Sequence, residues 1–133
     1  MKLLRVMCTM ALGSSPGQAS PLSTCAEFLS LEPFHLEQIR VTPAAGGILY
    51  SATANPAQLA RYMAVFGWMQ GQVEAEVWFA NGHNQQAGFS DIKVEVEGTT
   101  YDHMTWAFAY CRDNPHTPMP VVANEVFHHF VRK

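Results

Sequence analysis

The chain has 133 residues, of which 48% are hydrophobic and only 14% are charged, and its formal net charge is −3 at pH 7. This composition excludes an intrinsically disordered tail, which is poor in hydrophobic residues, and a basic nucleic-acid-binding domain, which is rich in Lys and Arg. The length suits one domain, and no apolar run reaches the roughly 18 residues of a membrane span. We therefore expect a single globular domain that neither spans a membrane nor binds nucleic acid.

The N-terminus has the pattern of a secretory signal peptide. Lys2 and Arg5 are followed by a short apolar stretch at residues 6–12 and then by small and helix-breaking residues. The sequence Gly17-Gln18-Ala19 offers the small residues that a signal peptidase reads. We predict a signal peptide at residues 1–19 and export to the periplasm; the alternative is a short structural helix that the glycines and Pro16 would end.

The cysteines support the same compartment. Cleavage would remove Cys8 and leave Cys25 and Cys111 in a mature domain of residues 20–133. An even pair in an exported domain is most simply one disulfide, whereas in the cytosol both would be unpaired thiols without the spacing of a metal site. The bridge would close a loop of about 87 residues and contribute on the order of 4.5 kcal/mol to stability. We interpret Cys111 as a structural half-cystine rather than a nucleophile or a metal ligand.

Two segments near the start of the mature chain precede the longest helix. The T-x-x-E pattern from Thr24 to Glu27 is typical of a capping box and predicts a helix at about residues 25–31. Residues 44–54 are rich in small side chains, and we predict a loop there.

The next segment predicts a long helix that begins at Asn55-Pro56, with Asn as its cap and Pro in its first turn. We expect Asn81-Gly82 to end it. Gly67 and Gly71 lie four residues apart within it, and this spacing suggests a close crossing with another helix. Helical spacing places the following residues on one apolar face: Leu59, Met63, Phe66, Val73 and Val77.

The remaining elements follow in chain order. Residues 92–98 alternate between apolar and polar side chains, which is a strand pattern and predicts an extended arm or a small hairpin segment. Thr99 or Thr100 should cap a helix that ends at Asn114-Pro115, and Pro118 or Pro120 should open a last helix. We therefore predict a mostly all-α fold, a small bundle of about four helices tied by one disulfide. Its predicted core is Phe28, Leu59, Met63, Phe66, Trp68, Val73, Met104, Phe108, Val126 and Phe130.

The polar residues do not form a recognisable catalytic or metal-binding motif. The six histidines include no HExxH pair and no clear ligand spacing, so we interpret them as solvated residues that gain charge between pH 5 and 8. Glu74 and Glu76 face different sides of a helix, and Glu95 and Glu97 would share a solvated strand face. We predict no enzyme activity, no catalytic residue, no metal and no cofactor.

Three short segments together resemble the HdeA/HdeB family of periplasmic acid-stress proteins. They are CAEFLSL at residues 25–31, FGWMQGQ at residues 66–72 and YCRDNP at residues 110–115. The family pattern has Cys-x-x-Phe near the mature N-terminus, an aromatic central helix with Gly, and a late Cys followed by Asn-Pro. By position, the resemblance implies that Cys25 pairs with Cys111, that Phe28 is the first core aromatic, and that Trp68 and Gly71 belong to the central helix.

The resemblance also implies a function. Such a protein would be an ATP-independent chaperone that binds unfolded periplasmic proteins at low pH and could form a homodimer. The client-binding apolar face would be that of the central helix, with Phe66, Trp68, Met69 and Val73 as its site residues. An alternative is a secreted immunity protein of the Rap1a/Tai type, a disulfide-held helical domain that binds and neutralises one toxin. The segment at residues 80–101 is longer than the corresponding connection of the HdeA/HdeB pattern.

The charge balance suggests how acid would act. Without Lys2 and Arg5 the chain keeps six basic and eleven acidic residues, for a net charge of −5 at neutral pH. Full protonation of the acids and of the six histidines would bring the charge to +12. Because self-repulsion of this size disfavours a compact state, the sequence leads to the hypothesis that acid opens the fold while the disulfide keeps it tethered.

Overall fold

The computed structural model describes residues 20–52, 54–89 and 91–132, and the predicted signal peptide at residues 1–19 lies outside them. The elements in chain order are α1 (Cys25–Leu29), α2 (Glu32–Gln38), β1 (Ile39–Ala44), β2 (Gly47–Ala52), α3 (Pro56–Gln86), α4 (Thr100–Asp113) and α5 (Met119–Phe130). The prediction of a small, mostly helical domain tied by one disulfide is confirmed. The helix predicted at about residues 25–31 is α1, which ends at Leu29, and α2 is a further helix that was not predicted.

Helix α3 is the axis of the domain. It begins as predicted, because the Asn55 side chain accepts the N–H of Ala57 at 2.8 Å and Pro56 occupies the first turn. Its 31 residues extend over about 46 Å. The face that packs against α4 and α5 is partly the predicted one, since Phe66 and Val73 are buried but Met63 is 41% exposed. The buried residues of α3 are Tyr62, Val65, Phe66, Met69 and Val73.

The predicted end of α3 and the predicted close crossing are both wrong. The helix continues through Asn81-Gly82 to Gln86, and the Asn81 side chain binds the backbone of Val94 instead of ending the helix. Its carbonyl oxygen accepts the Val94 N–H at 2.7 Å, and its amide donates to the Val94 carbonyl at 3.3 Å. No described heavy atom would lie within 4 Å of a Cβ on Gly67 or Gly71, so no element crosses closely there.

The N-terminal segment is held by backbone pairing rather than by the predicted capping box. The Thr24 side chain makes no cap bond to α1, and Thr24 instead forms an antiparallel bridge with Pro118. The Cys25 N–H donates to the Thr117 carbonyl and the Ala26 N–H to the Pro115 carbonyl, both at 3.0 Å. Extended pairing with a distant loop therefore decided the conformation of Thr24.

The predicted loop at residues 44–54 is mostly a hairpin strand. Strand β2 pairs antiparallel with β1, from Ile39 opposite Ala52 to Ala44 opposite Gly47. The turn uses Gly46 at φ 88°, a left-handed conformation that glycine adopts without a Cβ penalty.

Residues 92–98 form an extended arm rather than a regular strand. Val96 makes an isolated antiparallel bridge with Val131. On either side of this bridge, the Glu97 N–H donates to the Phe130 carbonyl and the Arg132 N–H donates to the Glu95 carbonyl, both at 2.9 Å. The C-terminus therefore supplies the strand partner for which the sequence offered no candidate.

Helix α4 begins and ends as predicted, and α5 begins as predicted. Thr99 caps α4 in a complete capping box with Asp102, and α4 ends at Asp113, directly before Asn114-Pro115. Pro120 lies in the first turn of α5.

The disulfide joins the two ends of the domain. Cys25 on α1 is bonded to Cys111 near the end of α4, and both residues are fully buried. The rings of Phe28 and Phe108 stack beside the bridge with centroids 4.1 Å apart. Of the other predicted core residues, Met104 and Val126 are buried, whereas Leu59, Trp68 and Phe130 are partly buried against the core. None of the helices within the described ranges combines the length and hydropathy that a membrane crossing requires.

Candidate functional site

The predicted client-binding residues lie together on α3, and most of them are covered by the rest of the fold. Phe66 is 5% exposed, Met69 is fully buried and Val73 is 4% exposed. Trp68 is partly buried against the same core. These side chains can therefore meet a client only if α3 separates from the helices that cover it.

The most unusual polar residue of that covered core is His35. It lies on α2 with no exposed surface, between α3 and α4. Its ring stacks on Tyr101 of α4 with centroids 4.0 Å apart, and Tyr62 of α3 and Phe108 of α4 lie within 5.8 Å and 5.0 Å of it. A single imidazole thus contacts both helices that pack against α2 at this point.

The hydrogen bonds of His35 fix its neutral form. Thr105 Oγ1 lies 2.9 Å from the Tyr101 carbonyl, to which only the hydroxyl can donate. The same oxygen lies 2.7 Å from His35 Nε2, so Nε2–H is the donor of that bond. Nδ1 is then the acceptor, and the Tyr62 hydroxyl donates to it at 2.6 Å. In this arrangement each nitrogen of the ring has a partner that suits an uncharged imidazole.

Burial disfavours the charged form of the same ring. It lowers the pKa of His35 from 6.5 to about 4. The groups that face it are the hydroxyls of Tyr62, Thr105 and Tyr101, the last donating to the His35 carbonyl at 3.3 Å. Within the described residues no carboxylate is hydrogen-bonded to the ring, and Glu32, one turn earlier on α2, pairs with Arg112. The junction therefore lacks a counter-charge that would stabilise a histidinium.

Protonation would also disturb the hydrogen bonds. A proton on Nδ1 converts that atom from an acceptor into a donor, so the bond from the Tyr62 hydroxyl would have to reverse. Because His35 contacts both α3 and α4, the disturbance reaches the contact between the helix that carries the predicted client face and the helices that cover it. The arrangement can therefore convert a fall in pH into loss of helix packing.

The interpretation of all histidines as solvated is correct for four of them and wrong for two. His83, His116, His128 and His129 are exposed, whereas His35 and His103 are buried. One sequence signal could have identified His35: Leu31 follows Phe28 by three positions and His35 follows Leu31 by four, which is one helical face, and all three are buried. The break between α1 and α2 does not interrupt that face.

A second feature lies at the other end of α3 and remains in contact with solvent. Trp78 is 71% exposed and Phe79 49% exposed, and their rings meet edge to face at 5.0 Å. Phe89 and Ile92, in the connection that follows the helix, are each 54% exposed. We call Trp78 and Phe79 the distal apolar patch.

The described residues do not support metal binding. Nowhere in residues 20–52, 54–89 and 91–132 do three His, Cys, Asp or Glu side chains lie close enough to hold a metal ion. Comparison with protein families, with curated proteins and with solved structures found no match to this chain.

Proposed function

We propose that this protein is a periplasmic, ATP-independent acid-stress chaperone similar to the HdeA/HdeB family, which binds unfolded proteins when acid opens its helical core. The observation that carries the proposal is His35, a buried and uncharged imidazole at the junction of α2, α3 and α4. The three sequence segments that resemble the family agree with it.

The buried histidine supplies an acid trigger whose direction follows from its pKa. Above pH 6.5 the ring is neutral in both the folded and the unfolded chain, so it adds no pH dependence. As the pH falls from 6.5 to about 4, the unfolded chain takes up a proton that the folded chain resists. The shift corresponds to about 3 kcal/mol, which is a large share of the stability of a domain this small.

The client-binding surface would be the face that acid uncovers. Phe66, Met69 and Val73 are covered in the folded protein and apolar enough to hold an unfolded segment. The bond between Cys25 and Cys111 does not depend on pH, so the opened chain would stay tethered at its two ends. Tethering limits the expansion of the chain and favours refolding when the pH returns to neutral.

The proposal is tested by mixing the purified domain of residues 20–133 with several unrelated unfolding proteins at pH 3 and at pH 7, and by following light scattering. Suppression of aggregation of several clients in acid alone supports the proposal. Aggregation of the protein itself in acid, or no suppression, would contradict it.

A matched pair of variants tests the trigger. His35→Gln keeps a neutral hydrogen-bonding side chain and should move the onset of client binding to lower pH, because it removes the buried group that must gain charge. His83→Gln removes an exposed histidine of α3 and should leave the onset unchanged. Equal onsets in the two variants would show that His35 is not the trigger.

The distal apolar patch favours a second candidate, an immunity protein that binds one toxin at neutral pH. Trp78 and Phe79 present aromatic surface without any opening of the fold, and exposed aromatic residues are common centres of protein interfaces. Tight binding of a single secreted effector at pH 7, abolished by Trp78→Ala, together with no activity on unfolded clients in acid, would support this candidate over the chaperone.

A further inference from the structure

A cavity of about 540 Å³ lies between α3, the start of α4 and the extended arm. Its volume is within the range of small-molecule sites, which is roughly 300 to 1,000 Å³. Val73 and Val77 of α3 and Val96 of the arm give it an apolar wall. The proposed chaperone function involves one of these residues, Val73, only after acid opens the fold, and the cavity is separate from the His35 junction.

The polar side of the cavity is acidic. Glu74 lines it and has no ion pair within the described part of the chain, and the polar residues Gln70 and Thr100 also line it. No lysine or arginine lines the cavity in the ranges that the structure describes. The carboxylate of Glu74 is therefore available to a cation from outside the protein.

The neighbouring charges do not neutralise Glu74. Asp102 is itself a carboxylate, which accepts from the N–H of Thr99 in the capping box, and offers no positive charge to Glu74. Arg132 pairs with Glu95 and Glu97, at 2.9 Å and 3.2 Å. Since successive side chains of an extended segment point to opposite sides, these pairs lie on the side of the arm away from Val96, which faces the cavity.

A second acceptor lies behind this wall, covered in the present conformation. His103 lines the cavity and is 5% exposed, and its Nε2 lies 2.7 Å from the Glu97 carbonyl, so Nε2–H is the donor. Nδ1 then carries a lone pair, and this buried atom has no hydrogen-bond partner among the described residues. Buried polar atoms are rarely left unpaired, so a small rotation of the ring that brought Nδ1 to the cavity would offer an acceptor to an N–H donor.

We propose that the cavity binds a small primary amine in its ammonium form, with the hydrocarbon part against the three valines and the ammonium group at Glu74. An ammonium supplies both a positively charged partner for Glu74 and several N–H donors. A carboxylate ligand would be repelled by Glu74, and an alcohol would supply one donor without charge. Because Nδ1 of His103 is covered, binding should be accompanied by a small shift of its ring.

The experiment is a titration of the ¹⁵N-labelled domain of residues 20–133 at pH 7 with butylammonium chloride, followed by amide chemical shifts. Butanol and sodium butyrate serve as neutral and anionic probes of the same chain length. We expect saturable shifts at Gln70, Val77 and Thr100 with butylammonium, and a dissociation constant on the order of 1 to 10 mM for so small a ligand. The imidazole signals of His103 should move in the same titration.

Variants identify the contact. Glu74→Gln should weaken butylammonium binding about threefold to fivefold, as expected for a partly exposed charge pair. Glu37→Gln removes an exposed carboxylate of α2 outside the cavity and should leave binding unchanged, while Val77→Phe should abolish binding by filling the cavity. Linear shifts without saturation, equal binding of butanol, or no effect of Glu74→Gln would each overturn the proposal.

Discussion

The two halves of α3 both carry aromatic residues, but these lie in opposite environments. The half up to Val73 carries Tyr62, Phe66 and Met69, which are buried by the surrounding helices. The half beyond Val73 carries Trp78 and Phe79, which are the most exposed aromatic residues of the helix. One continuous helix therefore contains both the centre of the core and an uncovered aromatic surface.

The difference arises from the partners rather than from the helix itself. The N-terminal half is covered by elements that the disulfide holds together, since α1 packs on α4, and α4 and α5 pack on α3. The distal half has lighter contacts, such as the Asn124 amide to the Glu76 carboxylate at 3.2 Å and the Asn81 side chain to Val94. Stability should therefore depend on the first half, while the second half is free to contact other molecules.

The largest expected effect comes from removing the disulfide that holds together the helices covering the N-terminal half of α3. Replacing Cys25 and Cys111 by Ala should lower the free energy of unfolding by about 4 to 5 kcal/mol, because a bridge across 86 positions restricts the unfolded chain strongly. Urea denaturation of the oxidised protein and of the double variant measures the difference. A loss below about 1 kcal/mol would show that packing alone holds the N-terminal half.

The next largest effect is on the pH dependence of the free energy of unfolding. Between pH 6.5 and about 4, the wild-type protein should lose about 3 kcal/mol more stability than His35→Gln, since the folded state resists protonation of the buried ring. Denaturation midpoints at several pH values give the two slopes. Parallel slopes for the wild type and the variant would mean that His35 charges equally well in the folded and the unfolded chain.

The smallest change in the free energy of unfolding should come from a substitution in the distal half of α3. Trp78→Ala should change the free energy of unfolding by no more than about 0.5 kcal/mol, as for most exposed positions. Phe66→Ala, twelve positions earlier on the same helix, should destabilise by about 3 to 5 kcal/mol, because it leaves a cavity in the core. Thermal unfolding of both variants tests the contrast, and a large loss with Trp78→Ala would show that the distal half is also part of the core.

Much of the helical framework was predictable from local signals in the sequence. Asn55-Pro56 marks the start of α3, the Thr99 capping box the start of α4, and Asn114-Pro115 its end. These signals work because each acts on backbone groups within a few residues of itself. The pairing of the two mature cysteines followed from their number and from the predicted compartment.

The candidate site was predictable only in part. Helical spacing identified Phe66 and Val73 as core residues, but it placed Met63 inside and gave no weight to Tyr62. The sequence did not indicate that Tyr62 and Thr105 would bind one histidine from opposite sides, since these residues are 27 and 70 positions away from His35.

What the sequence by itself determined is therefore the three longer helices, most of their ends and the disulfide, because caps, prolines and periodic apolar residues specify local structure. The tertiary structure alone decided the contacts between distant segments. Helix α3 continues past Asn81-Gly82, where the Asn81 side chain hydrogen-bonds to the backbone of Val94. The extended arm pairs with Val131. The tertiary structure also buried His35, because the cost of enclosing a polar ring is offset only when hydroxyls from two other helices reach it, and their meeting depends on the packing of the whole domain.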